Sequence, residues 1–354
     1  MTSYSNALAP FGVLYGAATR MRRRLYSAGV FRVHRIDEPV ISVGNITTGG
    51  TGKTPLVEWI ARAVASQGKR VCILTRGYGR KAPHNRVIVS DGESILADEK
   101  AAGDEPLLLA EKLVGMAAVI SDANRVSAAA WARDNLATDV FILDDGFQYL
   151  SLARELNILC IDATNPWGVE RLLPAGRLRE PLAGIKRADC IVVTRADQAM
   201  GIELLESRIA QLAGNRPILR SSVITIGLRP LHQNKIDGRA VRPTPPHGPF
   251  AAFCGIGNPE SFFTQLGRDG QTLCYSRAFP DHHWYKQADV DEVVDEAGRR
   301  GAGALVTTDK DAVKLRSLRF DIPCYVVEIE IKIDNEDRLR EIINAAIRAK
   351  PKIS

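Results

Sequence analysis

Cysteine is scarce and never grouped. Cys72, Cys160, Cys190, Cys254, Cys274 and Cys324 fall singly, mostly inside apolar runs, and no C-x-x-C pair occurs. That spacing argues against a zinc site or a disulfide framework and leaves buried strand thiols in a reducing compartment. The apolar stretch before Arg20 is too short to span a bilayer. Its basic residues follow the apolar run instead of preceding it, the reverse of a signal peptide. Repeats and low-complexity tracts are also missing. Residues 1–36 contain no acid at all, yet they hold Arg20, Arg22, Arg23, Arg24, Arg32 and Arg35. Those arginines account for the whole net charge of +6, so residues 37–354 balance. A nucleic-acid binder carries its basic stripe on the folded body. Here the surplus sits on an arm, and no nucleic-acid partner is expected.

With 354 residues, 45% hydrophobic and 25% charged, the chain has the length for two domains and the composition of an ordinary globular protein. On a helix starting near Pro10, Phe11, Leu14, Ala18, Met21 and Leu25 share one face, with Arg20, Arg23 and Arg24 turned away from it. Two readings stand: an interfacial helix drawn to anionic lipid, or an amphipathic helix packed on the protein's own core.

Apolar runs ending in polar residues alternate with helical stretches at 39–45, 70–76, 117–122, 140–145, 156–162 and 189–195. Their long apolar cores predict strands buried on both faces, and their alternation with helices predicts an α/β/α sandwich. Residues 221–249, with the Pro-rich "RPTPPHGP", read as a linker or β-ribbon. Further strands are expected at 250–255, 272–279, 304–308 and 324–329. The domain reading is therefore an arm at 1–36, a phosphate-loop domain at 37–220, a linker at 221–249 and a smaller α/β domain at 250–354.

The first strand runs into "NITTGGTGKT". Its second half, Gly49-Gly50-Thr51-Gly52-Lys53-Thr54, is suited to cradle a polyphosphate at a helix N-terminus. The eight-residue phosphate-loop pattern wants glycine at position 47, where this chain has Thr47. Lys53 would reach the β- and γ-phosphates, and the Thr54 hydroxyl would bind Mg²⁺. "VFILDDGFQ" delivers Asp144 and Asp145 to a strand end, as a metal-binding acid strand does. Three further motifs carry chemistry. "GDEP" supplies Asp104 and Glu105, which read alone as a helix cap with an acid in the first turn. "LLPAGRLREP" supplies Arg177, Arg179 and Glu180, whose arginines suit phosphate oxygens. "FPDHHWY" supplies Asp281, His282 and His283, where a base role is better motivated than an incomplete metal set.

Together SVGNITTGGTGKTP, TRGYGR, GDEPLLLA, ISDANR, ILDDGFQ, LLPAGRLREP, VVTRAD, FCGIGNPESFF, FPDHHWY and TTDKDAVKL resemble the tetraacyldisaccharide 4'-kinase family, in order from Ser42 to Leu315. The resemblance implies transfer of the γ-phosphate of ATP to the 4'-hydroxyl of a tetraacylated glucosamine disaccharide 1-phosphate, a step of lipid A biosynthesis giving lipid IVA. It also implies two α/β/α domains joined by a β-ribbon, and an N-terminal helix on the anionic cytoplasmic face of a bacterial inner membrane, with no obligate protein partner. By motif it implies an ATP-binding loop of Thr47, Thr48, Gly49, Gly50, Thr51, Gly52, Lys53 and Thr54. Catalytic roles fall to Asp104, His282, Lys53, Asp145, Arg125, Arg179 and Glu180, and Mg²⁺ to Thr54, Glu105, Asp144 and Asp145. Tyr149 departs from the family, which often has histidine there.

The alternative is a nucleotide switch or metal-insertion GTPase. "VVTRAD" approximates a guanine-reading [NT]-K-x-D element, with Arg195 in place of its lysine. Thr48 stands where the deviant phosphate loop of such proteins carries a lysine, and no grouped Cys/His relay is present.

Overall fold

Five-residue strands without a solvent-facing side build the larger of two units. The computed structural model describes residues 8–78, 80, 82–232, 235–236, 239–240 and 248–349. The strands are β1 (Val40–Gly44), β2 (Val71–Thr75), β3 (Val87–Ser90), β4 (Ala117–Ser121), β5 (Val140–Asp144), β6 (Leu156–Asp162), β7 (Cys190–Thr194) and the start of β8 (Ile218–Pro230), whose residues from Val223 on belong to the smaller unit. Every residue of β1, β2, β4, β5, β6 and β7 is buried. The order in this unit is β8-β7-β6-β1-β5-β2-β4-β3, parallel throughout except for the β3 edge. Such a sheet needs cover on both faces. One core gathers Ile46, Phe147, Leu159, Ile161, Ile191 and Ile209, and another gathers Cys72, Leu74, Ile120, Ala128, Phe141 and Leu143. The six strands expected in this unit are found, each bound within one residue of its expected place.

The smaller unit spans Val223–Glu330. It holds the short antiparallel pair β9 (Lys235–Ile236) and β10 (Arg239–Ala240). Parallel strands follow in the order β12-β11-β13-β14, where β11 is Phe250–Cys254, β12 Leu273–Ala278, β13 Ala304–Thr308 and β14 Cys324–Ile333. Residues 241–247, most of the Pro-rich stretch read as linker, lie outside the described residues. Within 221–249 the chain forms the end of the long strand β8 and the two-residue strands, in keeping with a ribbon.

Two boundaries differ from the sequence reading. The described residues after Glu330 join the larger unit instead of the smaller. There Asp334 accepts from the Arg220 amide (3.1 Å) and donates its own amide to the Arg220 carbonyl (3.0 Å), and Arg340 stacks over Trp59 at 4.8 Å. The arm is also part of the larger unit. Its helix, Ala9–Ser27, has proline in the first turn, as expected. Its buried residues are Gly12 and Gly16, which approach Leu172. The apolar stripe is not what packs: Phe11, Leu14 and Met21 stay 59%, 69% and 57% exposed. Packing of that stripe on the protein's own core is thereby set aside. No helix among the described residues is long and apolar enough to cross a membrane.

Candidate active site

Between Gly44 and the helix Lys53–Ala65 the chain must reverse in eight residues. Gly49 (φ 102°) and Gly52 (φ 71°) supply the left-handed geometry that side chains disfavour. Gly52 caps the helix without a side-chain hydrogen bond, so the first-turn amides point out with the positive end of the helix dipole. Thr47 is not left-handed. It is buried and makes an antiparallel bridge to Leu178. Beside it the Thr48 amide donates to the Arg177 carbonyl (2.7 Å), while Arg177 returns Nη2 (2.7 Å) and Nε (3.0 Å) to the Thr48 carbonyl. Arg177, read as a phosphate clamp, therefore clamps the loop backbone.

The opposite side is braced by the VVTRAD segment. Thr194 Oγ1 donates to the Thr51 carbonyl (2.9 Å), and Arg195 Nη1 donates to the Gly50 carbonyl (2.8 Å) and to Asp162 Oδ2 (2.6 Å). Within the loop Asn45 Nδ2 donates to Thr51 Oγ1 at 2.7 Å. Here Arg195 supports the glycine loop.

β5 lies beside β1 with Asp144 opposite Val43, which sets both acids next to the loop. Asp145 takes a positive φ of 52° and accepts from Arg179 Nη1 at 2.6 and 2.8 Å, with Lys53 Nζ at 3.4 Å. Burial pushes its carboxyl up, but Lys53 and Arg179 outweigh it and hold the group at about 2. The sequence reading gave Asp145 both a catalytic and a metal role. In the structure it pairs with Lys53 and Arg179. Asp144 is pushed the other way, up to about 7, by burial and the Glu105 charge, against the pull of Lys53.

Asp104 and Glu105 open the helix Asp104–Lys112, whose cap is Gly103 (φ 90°), not Asp104 as the sequence suggests. Asp104 is buried and accepts the Glu105 amide at 2.9 Å. Arg125 starts the next helix, Arg125–Leu136, almost wholly buried, with its guanidinium 4.6 Å from the Tyr149 ring centroid. Burial lowers its pKa, opposed by Tyr149, Asp145 and Asp144. Glu180 is buried and accepts from Arg187 (2.7 and 3.0 Å) and from Gln148 Nε2 (2.8 Å), which also reaches the Asn45 carbonyl (2.8 Å). Its bonds are those of an anchor for the loop.

In the smaller unit, His282 has a φ of 60° and places Nε2 3.8 Å from Asp281 Oδ2 and 3.5 Å from Lys310 Nζ. His283 is a different kind of residue: it stacks on Phe279 at 4.8 Å and meets Asp289 at 3.1 Å. Asp145, Arg195 and His282 are three of five non-glycine residues with positive φ among those described, and such strain collects at functional sites. No group of three or more His, Cys, Asp or Glu among the described residues could hold a metal by itself.

Sequence reasoning missed the arginines that shape the site from behind. Arg154 donates to the Gly146 (2.8 Å) and Tyr149 (2.6 Å) carbonyls, and Arg187 stacks on Phe147 at 4.5 Å. The shortest Arg154 bonds go to backbone oxygens, which leave no trace in residue spacing.

A family model described as tetraacyldisaccharide-1-P 4'-kinase (LpxK) matches residues 4–348. A protein of Geobacter metallireducens named tetraacyldisaccharide 4'-kinase is 42% identical, covering 87% of this chain and 88% of that one. Its namesake from Geobacter sulfurreducens is 39% identical over 92% and 88%. Among solved structures, the "apo" form of LpxK from Aquifex aeolicus in complex with ATP is similar at 32% identity and a TM-score of 0.74, covering 97% of this chain and 99% of that one. The braced loop, the acids beside it and a match over nearly the whole length converge: the chain belongs to the tetraacyldisaccharide-1-P 4'-kinase family.

Proposed function

We propose that this chain transfers the γ-phosphate of ATP to the 4'-hydroxyl of a tetraacylated glucosamine disaccharide 1-phosphate, in lipid A biosynthesis. It is an ATP-dependent lipid kinase. The observation that carries this reading is the loop from Asn45 to Thr54, braced on both sides, with Lys53 facing Asp145, the acid directly after β5. Phosphoryl transfer depends on positioning and charge neutralisation, which such a loop supplies.

Lys53 would exchange its contact with Asp145 for the β/γ-phosphates as ATP binds. Arg179, tied to the same carboxylate, and Arg125, buried near both acids, would present fixed positive charge to the transferred group. Buried Asp144, raised by its neighbour Glu105, is a carboxylate in want of a cation. With the Thr54 hydroxyl these residues fit Mg²⁺, which takes few protein oxygens and completes its shell from phosphate and water. When bound, Mg²⁺ neutralises charge on the phosphate oxygens. Asp104 and His282 would serve removal of the sugar-hydroxyl proton. Glu180 would act through the Gln148 and Arg187 contacts that fix the Arg179 segment.

The exposed stripe of Phe11, Leu14 and Met21, followed by Arg20, Arg22, Arg23 and Arg24, supports peripheral attachment to an anionic surface, the cytoplasmic face of the inner membrane. The direct test is transfer of label from γ-labelled ATP to the lipid disaccharide in detergent micelles. Label on the lipid at the 4' position is the expected result. Nucleotide hydrolysis with no lipid label, or a strict requirement for GTP, would overturn the reading and restore a nucleotide switch.

A further inference from the structure

The smaller unit contains a buried ion pair that the scheme above leaves unused. The Asp311 side chain is 0% exposed, and Lys314, one helical turn on, is 1% exposed with Nζ 3.5 Å from Asp311 Oδ1. Charges removed from water this completely persist only where hydrogen bonds complete them. Asp311 collects three donors: the Gly255 amide (3.0 Å), Thr308 Oγ1 (2.7 Å) and the Tyr285 hydroxyl (3.0 Å). Lys314 in turn lies 5.7 Å from the Tyr285 ring centroid.

These bonds converge on the end of β11. The Gly255 carbonyl accepts the His282 amide at 3.1 Å, and the Cys254 carbonyl accepts the Phe279 amide at 2.8 Å. The turn that carries His282 is therefore docked on the residue whose amide Asp311 holds. A Cβ on Gly255 would lie 3.0 Å from the Tyr285 hydroxyl and 3.2 Å from Asp311 Oδ1, so the contact closes only around glycine. Left-handed geometry at His282 survives because its surroundings over-determine it.

We propose that Asp311 is a positioning residue for His282: its buried carboxylate fixes Gly255, and Gly255 fixes the turn that sets the imidazole. The proposal rests on the assignment of His282 to proton removal. With its side chain wholly buried, Asp311 would act through Gly255. A misplacement on the order of 1 Å at a reacting group costs about 10²-fold in rate.

The test is a double-mutant cycle in the full chain, read as kcat and KM for ATP. His282→Ala is expected to lower kcat by about 10²–10⁴-fold. Asp311→Asn, which keeps shape and one acceptor, should lower kcat by about 10–10²-fold and leave KM for ATP unchanged. In the His282→Ala background Asp311→Asn should add nothing, since its effect passes through the missing ring. If Asp311→Asn does not fold, Asp311→Asn/Lys314→Met, which strands no charge, enters the same cycle. Equal losses in both backgrounds, or full kcat in Asp311→Asn while His282→Ala is crippled, would overturn the proposal. Full kcat in His282→Ala would instead remove the His282 assignment on which it stands.

Discussion

The membrane attachment proposed for the N-terminal helix would have an affinity that can be worked out in advance from its exposed stripe. Phe11, Leu14 and Met21 keep 59%, 69% and 57% of their surface in water, while Gly12 and Gly16 on the other side meet Leu172. Full burial of such side chains is favourable by about 1.5–3 kcal/mol each, so roughly three-fifths exposure leaves about 1–2 kcal/mol per residue for a lipid surface to gain. Three residues together make about 3–5 kcal/mol, or roughly 10²–10⁴-fold in partition. The perturbation is Phe11→Ser/Leu14→Ser/Met21→Ser, and the assay is co-sedimentation with vesicles containing anionic lipid. Binding should fall by that factor and thermal unfolding should stay where it was. Exposed Arg20 and Arg24 add about 1 kcal/mol each near an anionic surface, so added salt should weaken the parent protein's binding as well. Deleting the helix is a poorer experiment, because Arg22 Nη1 donates to the Gln148 carbonyl (3.0 Å) beside the site. Unchanged vesicle binding in the triple variant, or a loss of several degrees in Tm, would refute the reasoning.

Lys53→Ala should abolish most turnover while the fold persists, since Asp145 keeps Arg179 as its partner; near-normal rates would end the nucleotide assignment. Gly52→Ala should weaken ATP binding at a cost of about 1–2 kcal/mol, because φ 71° resists a side chain and the new Cβ would stand 3.3 Å from Thr194. Titration calorimetry showing parental affinity would mean that the left-handed cap is dispensable. Asp104→Ala and His282→Ala should each lower turnover by about 10²–10⁴-fold, with the double variant little worse than the worse single one. Multiplicative losses would separate the two residues and leave Asp104 to the metal.

Strand ends were legible because each apolar run stops at a polar residue that the sheet cannot bury without a partner. Asn45, Arg76, Asp122, Asp145 and Arg195 each follow directly on the last residue of their strand. β3 was not legible. Val87–Ser90 is an antiparallel edge with its first half only partly buried, so its four residues carry too short a pattern. The C-terminal helix Glu336–Arg348 shows a clear apolar face in Leu339, Ile343 and Ala346. Periodicity says that this face is buried, not which core it joins, and bonds from Asp334 and stacking by Arg340 settle that. The acids at 104 and 105 were recognised as a helix start, yet the cap fell to Gly103. A Cβ at that position would stand 2.8 Å from the Tyr78 carbonyl, which adjacency in sequence cannot reveal.

The residue that looked out of place in the phosphate loop explains the loop's construction. A glycine at position 47 would free that backbone for left-handed geometry, but an antiparallel bridge to Leu178 needs it extended. Thr47 favours the extended form, being β-branched. The bridge in turn brings the Arg177 guanidinium onto the Thr48 carbonyl and the Arg179 amide onto the Ile46 carbonyl at 2.7 Å. Arg179 then has its side chain directed at Asp145, so one short strap holds both the glycine loop and the acid that faces Lys53. A loop fixed from both flanks needs less freedom within. Two left-handed glycines, Gly49 and Gly52, are enough to turn it.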